Sequence, residues 1–218
     1  MTLLIDFLKG LKYLHDEKGV IHRDINPDNL GVVSLDPPHG VLLNFDAATR
    51  ETASEDYRRG LTPYLAPEMI DLRVATAGSV KVRLYGRGVD VWALGLSMFA
   101  MHIRRPSFSW TLFDDPDTSP QMNDGDTSST VLWHKHNRFC SALKLKKRKD
   151  GFASDNFQLL ELIEHMTEWD PATRVTAAEL LDFAEHLEPA PNQGRIVPKS
   201  GVKRSVEELW CGGESSQS

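Results

Sequence analysis

The sequence is poor in cysteine, has no long apolar run and carries no excess of positive charge. Two cysteines, Cys140 and Cys211, cannot build a disulfide framework or a zinc site alone, and they are typical of a reducing, intracellular setting. The longest apolar stretch, residues 89–103, is too short and too interrupted to span a bilayer. A net charge of -6 does not favour broad binding to nucleic acids. We therefore expect an intracellular protein, cytoplasmic or nuclear, with neither a membrane nor a nucleic-acid partner.

The chain does have the composition of an ordinary globular domain, with 40% hydrophobic and 26% charged residues among its 218. Residues 89–103 are apolar almost all round, which predicts a buried central helix. Gly19 is expected to end the first helix, and Thr176 with Glu179 forms a candidate capping box for the last. The other expected helices span residues 2–15, 67–72, 131–145, 156–168 and 176–187.

Three other kinds of segment complete the predicted organisation. Residues 30–35 and 40–45 should pair as a β-hairpin, because residues 36–40 supply turn chemistry. Polar residues without periodicity predict a surface segment at 49–62, a flexible insertion at 106–130 and a disordered tail at 188–218. The basic run 144–149 fits a nuclear-localisation or acidic-partner patch, but a solvated helix end is favoured. The predicted fold class is mainly α, a helical bundle around a buried central helix over residues 1–187 with a small β-hairpin.

The chemically most informative stretch is residues 22–29, His-Arg-Asp-Ile-Asn-Pro-Asp-Asn. It places Asp24 and Asn29 five residues apart on a short loop between an amphipathic helix and a hydrophobic strand. Phosphoryl transfer needs such a pair, because an Asp accepts the proton of the attacking hydroxyl and an Asn holds a magnesium ion.

Four further motifs follow this loop in order. They are Asn-Phe-Asp at 44–46, Gly-Leu-Thr-Pro-Tyr-Leu-Ala-Pro-Glu at 60–68, Asp-Val-Trp-Ala-Leu-Gly at 90–95 and Asp-Pro-Ala-Thr-Arg-Val-Thr at 170–176. With the loop, they resemble the catalytic loop, the Asp-Phe-Gly motif and the later motifs of the eukaryotic protein kinases over residues 3–187. The second and fourth look more like serine/threonine than tyrosine kinases. The resemblance implies the fold of a kinase C-lobe, with the hairpin near the catalytic loop.

The resemblance also implies roles for individual residues. Asp24 matches the catalytic base, Asn29 matches a magnesium ligand, and Arg23 matches the residue that pairs with a phosphate in the activation segment. Acidic residues of this segment are alternative partners for Arg23, namely Glu51, Glu55 and Asp56.

Three more positions match structural residues of the family. Glu68 and Arg174 match an ion pair that ties the activation segment to the late helices. Asp90 matches a buried Asp that accepts hydrogen bonds from the catalytic-loop backbone. The resemblance thus predicts contacts between segments that lie far apart in the sequence.

The chain departs from the family at two charged positions. Asn26 occupies a phosphate-facing position where serine/threonine kinases usually carry Lys, and Asn44 stands where the Asp of Asp-Phe-Gly chelates magnesium. Asp46 would share a face with Asn44 in an extended segment and so supply the missing charge. In an alternative register Asp46 itself is the metal ligand. The first register is favoured because it keeps Phe45 as a buried anchor.

The resemblance implies ATP and Mg2+ as cofactors and a protein as substrate. No Gly-x-Gly-x-x-Gly motif precedes the catalytic loop, and neither does a strand Lys with a helix Glu partner, so the N-lobe is expected to be absent. The surface that would face it is then open to a covering partner. We therefore weigh a serine/threonine kinase against a pseudokinase or interaction scaffold. A small-molecule phosphotransferase is disfavoured by residues 66–68 and 90–92.

Overall fold

The described part of the chain is mainly α-helical with one small antiparallel sheet, in agreement with the predicted mainly α class. The computed structural model describes residues 1–56, 58–75, 84–105, 129–150 and 155–187. In chain order the helices and strands of these residues are α1 (Thr2–Lys12), β1 (Leu30–Leu35), β2 (Pro38–Leu42), α2 (Pro67–Ala75), α3 (Gly88–His102), α4 (Ser129–Asp150), α5 (Asp155–Met166) and α6 (Ala177–His186).

The first helix buries the apolar stripe that its sequence predicts. Leu4, Phe7, Leu8 and Leu11 are all at most 1% exposed. The regular helix is shorter than predicted, because α1 ends at Lys12 and a π turn, Tyr13–Glu17, follows it. Gly19 adopts a φ of 61°, a left-handed conformation that glycine tolerates, and it ends the helical segment as predicted.

The central helix α3 is confirmed as the most buried element of the described chain. Twelve of its residues, from Val89 to Ala100, are buried. It packs so closely on α5 that a Cβ on Gly95 would lie 2.8 Å from the Cβ of Met166. Because interiors are close-packed, a helix surrounded in this way fixes the positions of the elements that touch it.

The β-hairpin has a shorter second strand than predicted. Strands β1 and β2 pair antiparallel, from Leu30 with Leu42 to Leu35 with Pro38, with an irregularity between Val32 and Ser34. The expectation that the second strand reaches residue 45 is wrong. It ends at Leu42, because Asn44 has a φ of 60° that no extended strand accommodates.

The hairpin is anchored on α1 by a close approach and a hydrogen bond. The amide of Gly40 donates to the carboxylate of Asp6 at 2.9 Å. A Cβ on Gly40 would lie 2.7 Å from the Phe7 ring, so this position requires glycine. Other apolar side chains of the hairpin region point away from the core, with Val33, Leu35 and Leu43 exposed by 63%, 77% and 44%.

The last three helices follow the predicted order with longer or shorter bounds. Helix α4 runs to Asp150, so the basic run 144–149 lies within its C-terminal end, where the helix dipole favours positive charge. Lys147 bonds Glu164 of α5 at 2.9 Å. The predicted capping box is confirmed, since Thr176 and Glu179 exchange side-chain and backbone hydrogen bonds at the start of α6.

Some predictions fall outside the described residues. The tail at 188–218, which includes Cys211, lies outside them, as does 106–128 of the predicted insertion, whereas residues 129 and 130 already belong to α4. Within the described residues, Cys140 is a free thiol whose pKa is raised by burial to about 11. The described helices include none with both the length and the apolar character needed to cross a membrane.

The close approach at Gly40 generates a stability prediction. Gly40→Ala places a methyl group against the buried Phe7 ring, and we expect it to lower the free energy of unfolding by about 1–3 kcal/mol. Gly31→Ala in the neighbouring strand is the matched control, because its nearest contact is with the end of the exposed Leu43 side chain, which can move. Urea unfolding of both variants measures the difference. An equal loss in the two variants would contradict the packing argument.

Candidate active site

The candidate site lies on a tight loop between the end of the first helical segment and β1. Ile21, just before the loop, exchanges two backbone hydrogen bonds of 2.9 Å with Thr49. The loop ends in a short 3-10 turn, Pro27–Asn29. The side chain of Asn26 caps this turn by accepting the Asp28 amide at 3.0 Å. Local capping and one long-range bridge therefore fix both ends of the loop.

Asp24 and Asn29, predicted as base and metal ligand, are in direct contact. The Asn29 amide nitrogen donates to the Asp24 carboxylate at 3.0 Å and to the Asp24 carbonyl at 2.7 Å. Asn29 is 7% exposed, whereas Asp24 is only partly buried and remains open to solvent. The carboxylate therefore has a fixed direction, on a residue that is only partly buried.

Asn26 holds the other oxygen of the same carboxylate. Its amide nitrogen donates to Asp24 Oδ1 at 3.2 Å and to the Asp24 carbonyl at 3.0 Å. Asn26 is 2% exposed, and its own side-chain oxygen already accepts the Asp28 amide. This carboxamide thus stabilises the loop from within and supplies no positive charge to a phosphate.

The donor groups present suit a hard cation such as Mg2+, although they carry little negative charge. Asn29 uses its nitrogen on Asp24, and its Oδ1 accepts no hydrogen bond from the described residues. Oxygen donors of this kind are those that Mg2+ prefers. No arrangement of three or more His, Cys, Asp or Glu side chains in the described part of the chain could hold a metal ion. A cation here would therefore depend on the carboxamides and on Asp24.

A buried carboxylate accepts hydrogen bonds from the backbone of the loop, as the resemblance predicts. Asp90, on the first turn of α3, is 1% exposed and accepts the amides of His22 at 2.7 Å and Arg23 at 2.8 Å. Arg23 is thereby kept at a φ of 68°, in the left-handed region. Such a conformation costs a non-glycine residue about 1–3 kcal/mol and persists only where its surroundings enforce it.

The side chain of Arg23 reaches the segment that follows the hairpin. Its guanidinium donates to the Ala47 carbonyl and to Ser54 Oγ, the latter at 3.4 Å, and lies 3.7 Å from the Asp56 carboxylate. Burial raises the pKa of Asp56, but hydrogen bonds from Arg59 and from the Arg58 amide, with the charges of both Arg59 and Arg23, outweigh it and lower that pKa.

Three acidic residues were proposed as partners for Arg23. Of these, Asp56 is the one that forms an ion pair with Arg23 among the described contacts. No ion pair with Glu51 or Glu55 occurs among them, and both side chains are exposed. A backbone bridge between Ser54 and Tyr85 holds the neighbouring segment, and the Tyr85 hydroxyl donates to the Asp56 carbonyl at 2.8 Å. This bridge escaped prediction, because its partners share no sequence pattern.

The predicted arrangement around Phe45 is wrong in two respects. Phe45 is 48% exposed and not a buried anchor; among its described contacts is the His22 ring, 5.0 Å away between centroids. The segment is also not extended, because the Ala48 amide bonds the Phe45 carbonyl in a turn. The physical reason is the left-handed backbone of Asn44, whose side-chain oxygen accepts the Asp46 amide at 3.4 Å.

Asn44 nevertheless lies next to the loop. The residue before it, Leu43, donates its amide to the Asn29 carbonyl at 2.9 Å and accepts from the His22 ring at 3.0 Å. Asn44 and Asp46 are both exposed. The burial argument that favoured Asn44 over Asp46 as metal ligand is therefore lost, while its adjacency to Asn29 through Leu43 remains.

The predicted ion pair between Glu68 and Arg174 is confirmed. The Arg174 guanidinium donates to both carboxylate oxygens of Glu68, at 2.7 and 3.0 Å, and its side chain is fully buried. It also donates to the carbonyls of Glu168, Gly88 and Trp169 and lies 4.9 Å from the Trp92 ring. A bidentate pair of this kind locks α2 to the segment before α6.

Sequence reasoning missed one buried polar residue at the site. His15 is 5% exposed and its Nε2 lies 2.9 Å from Asp90 Oδ2. A signal for its burial exists, because His15 continues the spacing of Leu4, Leu8 and Leu11 along the first helix. Nothing in that spacing indicates the partner, which is 75 residues away in the sequence.

Comparison with known proteins agrees with this geometry. The profile of the protein kinase domain matches residues 2–184. The human serine/threonine-protein kinase MAK is 25% identical over 95% of this chain and 33% of its own length. Mitogen-activated protein kinase 12 of Danio rerio is 29% identical over 83% of this chain and 48% of its own length. Cyclin-dependent kinase 7 of Carassius auratus is 27% identical over 88% of this chain and 55% of its own length.

The chain therefore belongs to the protein kinase superfamily, among whose members it is similar to serine/threonine kinases. It spans about a third to about half the length of these three relatives. Members of this family in general use ATP and Mg2+.

The buried ion pair generates a second stability prediction. Glu68→Gln leaves the buried Arg174 without its carboxylate, and we expect a loss of about 3 kcal/mol in the free energy of unfolding. Glu185→Gln is the control, because the Lys9–Glu185 pair is exposed on both sides and its loss should change stability by less than about 1 kcal/mol. Urea unfolding compares the two. Equal effects would show that burial of the pair does not determine its contribution.

Proposed function

We propose that this chain carries the C-lobe of a serine/threonine protein kinase domain, over residues 1–187, which acts in moving the γ-phosphate of ATP to a protein hydroxyl. The observation that supports this most is the positioned carboxylate of Asp24. Asn26 and Asn29 each donate to one of its oxygens, and the residue stays open to solvent. A general base needs a fixed direction and an accessible lone pair for the substrate hydroxyl.

The other roles follow from the neighbours of Asp24. We assign Asn29 to magnesium through its Oδ1, with Asn44 or Asp46 as the second ligand. When bound, magnesium supplies positive charge that neutralises the phosphates during transfer. Arg23 positions the segment after the hairpin through Asp56, and this contact needs no phosphate group. The assignment of Asp24, Asn29 and Arg23 as catalytic residues rests on this geometry and on the family.

Two amide residues are expected to weaken this activity. Asn26 presents no cation to the transferred group, and its carboxamide is already engaged within the loop. Asn44 presents a neutral oxygen where the family has a carboxylate, so magnesium and ATP should bind less tightly. Since this chemistry depends on electrostatic stabilisation, each change should slow transfer by about 10²-fold or more.

The same observations favour a second candidate, a pseudokinase that serves as an interaction scaffold. Val33 and Leu35 of the hairpin and Phe45 after it are exposed by 63%, 77% and 48%. Exposed apolar side chains of this kind give a surface that another protein or lobe can cover. In this candidate the loop keeps its fold and the chain acts through a protein partner on that surface.

Nucleotide binding separates the two candidates. We expect ATP with Mg2+ to raise the melting temperature of the full chain, whereas ATP with EDTA should not, because a ligand that binds only the folded state stabilises it. The shift should be larger in Asn44→Asp, which restores a carboxylate and keeps a residue that tolerates the left-handed backbone. No shift in either protein would exclude the kinase proposal for this chain and leave the scaffold.

The metal ligand is decided by the matched variant Asp46→Asn. If Asn44 is the ligand, Asp46→Asn leaves the affinity for ATP with Mg2+ unchanged within about twofold, and Asn44→Asp tightens it about tenfold, an order expected for one added carboxylate. Titration by calorimetry measures both. A loss of affinity in Asp46→Asn with no gain in Asn44→Asp would assign the position to Asp46 instead.

Phosphoryl transfer tests the base. Asp24→Asn should reduce transfer to serine-containing peptides by about 10²-fold or more while ATP still binds, because the proton acceptor is lost. Asp28→Asn removes an equal charge from an exposed position of the same loop and should leave the rate unchanged. Asn26→Lys should raise the rate by restoring the cation. Equal loss in the Asp24 and Asp28 variants would point to net charge and not to a base.

A further inference from the structure

Helix α4 differs in charge from the rest of the chain. Its 22 residues contain seven lysines and arginines against one aspartate, a net charge of +6 with neutral histidines. The whole chain carries -6, so the residues outside α4 together carry -12. Interaction with the helix dipole accounts for cations in the last turn, and it does not extend beyond that turn. A positive element on a negative chain attracts and orients an acidic partner.

The exposed side of α4 forms one stripe along the helix. Its members recur every three or four residues, which places them on one face, and all are exposed: Trp133, Asn137, Ser141, Lys144 and Arg148. With a rise of 1.5 Å per residue, the stripe is about 22 Å long. It therefore presents an aromatic ring at one end and two cations at the other.

The two cations of the stripe are available to a further carboxylate. Lys144 Nζ lies 3.8 Å from Glu164 of α5, but the Lys144 side chain is 63% exposed. Glu164 already bonds Lys147 at 2.9 Å, so its charge is satisfied from within the protein. Arg148 is exposed and makes no hydrogen bond or ion pair with any of the described residues.

The aromatic end of the stripe is held in place and still accessible. The Trp133 ring lies 5.2 Å from Trp169, edge to face, and 6.0 Å from the buried His136. Trp133 is nevertheless 43% exposed, and Leu145, beside the stripe, is 54% exposed. A ring that is already fixed by its neighbours loses little conformational freedom when a partner packs on it.

We propose that this stripe of α4 is a docking surface for an acidic segment of a partner protein. Carboxylates of the segment bind Lys144 and Arg148, and an apolar side chain of the segment packs on Trp133. Tryptophan and arginine are the residue types that contribute most often to the affinity of protein interfaces. A stripe with two exposed cations on a negative chain fits nucleic acid less well, because such binding depends on many phosphate contacts.

The docking surface goes beyond the proposed function and does not depend on it. Fluorescence anisotropy of the full chain, measured without nucleotide, tests it. The probe is a labelled peptide in which leucines are interspersed among glutamates, and we expect it to bind more weakly as salt is added. Lys144→Gln combined with Arg148→Gln should weaken binding about tenfold, because two charge pairs are lost.

Lys9→Gln combined with Lys18→Gln is the matched control. It removes the same charge from exposed positions of the first helical segment, and the affinity should stay within about twofold because salt screens distant charges. NMR reports the location of the peptide. The indole N–H signal of Trp133 should shift when the peptide is added, whereas that of the buried Trp92 should not.

Four results would overturn the proposal. A peptide with glutamine in place of glutamate could bind equally well, or the control variant could weaken binding as much as the α4 variant, and either would remove recognition of the acidic charge by the stripe. Tighter binding of a labelled single-stranded oligonucleotide would identify a nucleic-acid surface. Absence of peptide binding, with self-association of the chain that the α4 variant abolishes, would identify a second copy as the partner. Absence of ATP binding would remove the proposed function and leave this result standing.

Discussion

The buried carboxylate of Asp90 is the constraint on which the rest of the site depends. It belongs to the first turn of the most buried helix, where the helix dipole favours negative charge, and it has almost no access to water. The chain meets its need for donors with the amides of His22 and Arg23, and this forces Arg23 into the left-handed region. The strain in the loop is therefore a consequence of satisfying a buried charge. It costs less than leaving that carboxylate buried without hydrogen-bond donors.

A second charged anchor meets α3 at the same end. Arg174 binds Glu68 and also donates to the carbonyl of Gly88, only two residues before Asp90. The loop and the segment after the hairpin join this point through Arg23, whose amide bonds Asp90 and whose side chain lies near Asp56. Parts of the chain more than 60 residues apart thus converge on one helix turn. Disturbing that turn should affect all of them together, since contacts in one network are not additive.

Sequence reasoning predicted the features that depend on local pattern or on matched motifs. The buried α3 and the capping box of α6 follow from periodicity and capping chemistry, and the Glu68–Arg174 pair followed from the resemblance. Sequence reasoning failed where a single backbone torsion or a distant partner determines the local structure. The end of β2 and the exposure of Phe45 both depend on the left-handed Asn44, and asparagine is compatible with either conformation. The partner of His15 is 75 residues away, so no local signal identifies it.

The folded loop and its chemistry place different demands on the same residues. Asn26 and Asn29 hold Asp24 through hydrogen bonds, which a carboxamide makes without charge. The geometry of the loop therefore survives the replacement of a lysine by asparagine at position 26, because the carboxamide bonds Asp24 and caps the following turn at once. Phosphoryl transfer needs charge in addition to geometry, since its transition state is stabilised electrostatically. A loop of this kind can be well formed and still slow, so under the proposed function we expect the charge at positions 26 and 44, more than the shape of the loop, to limit the rate.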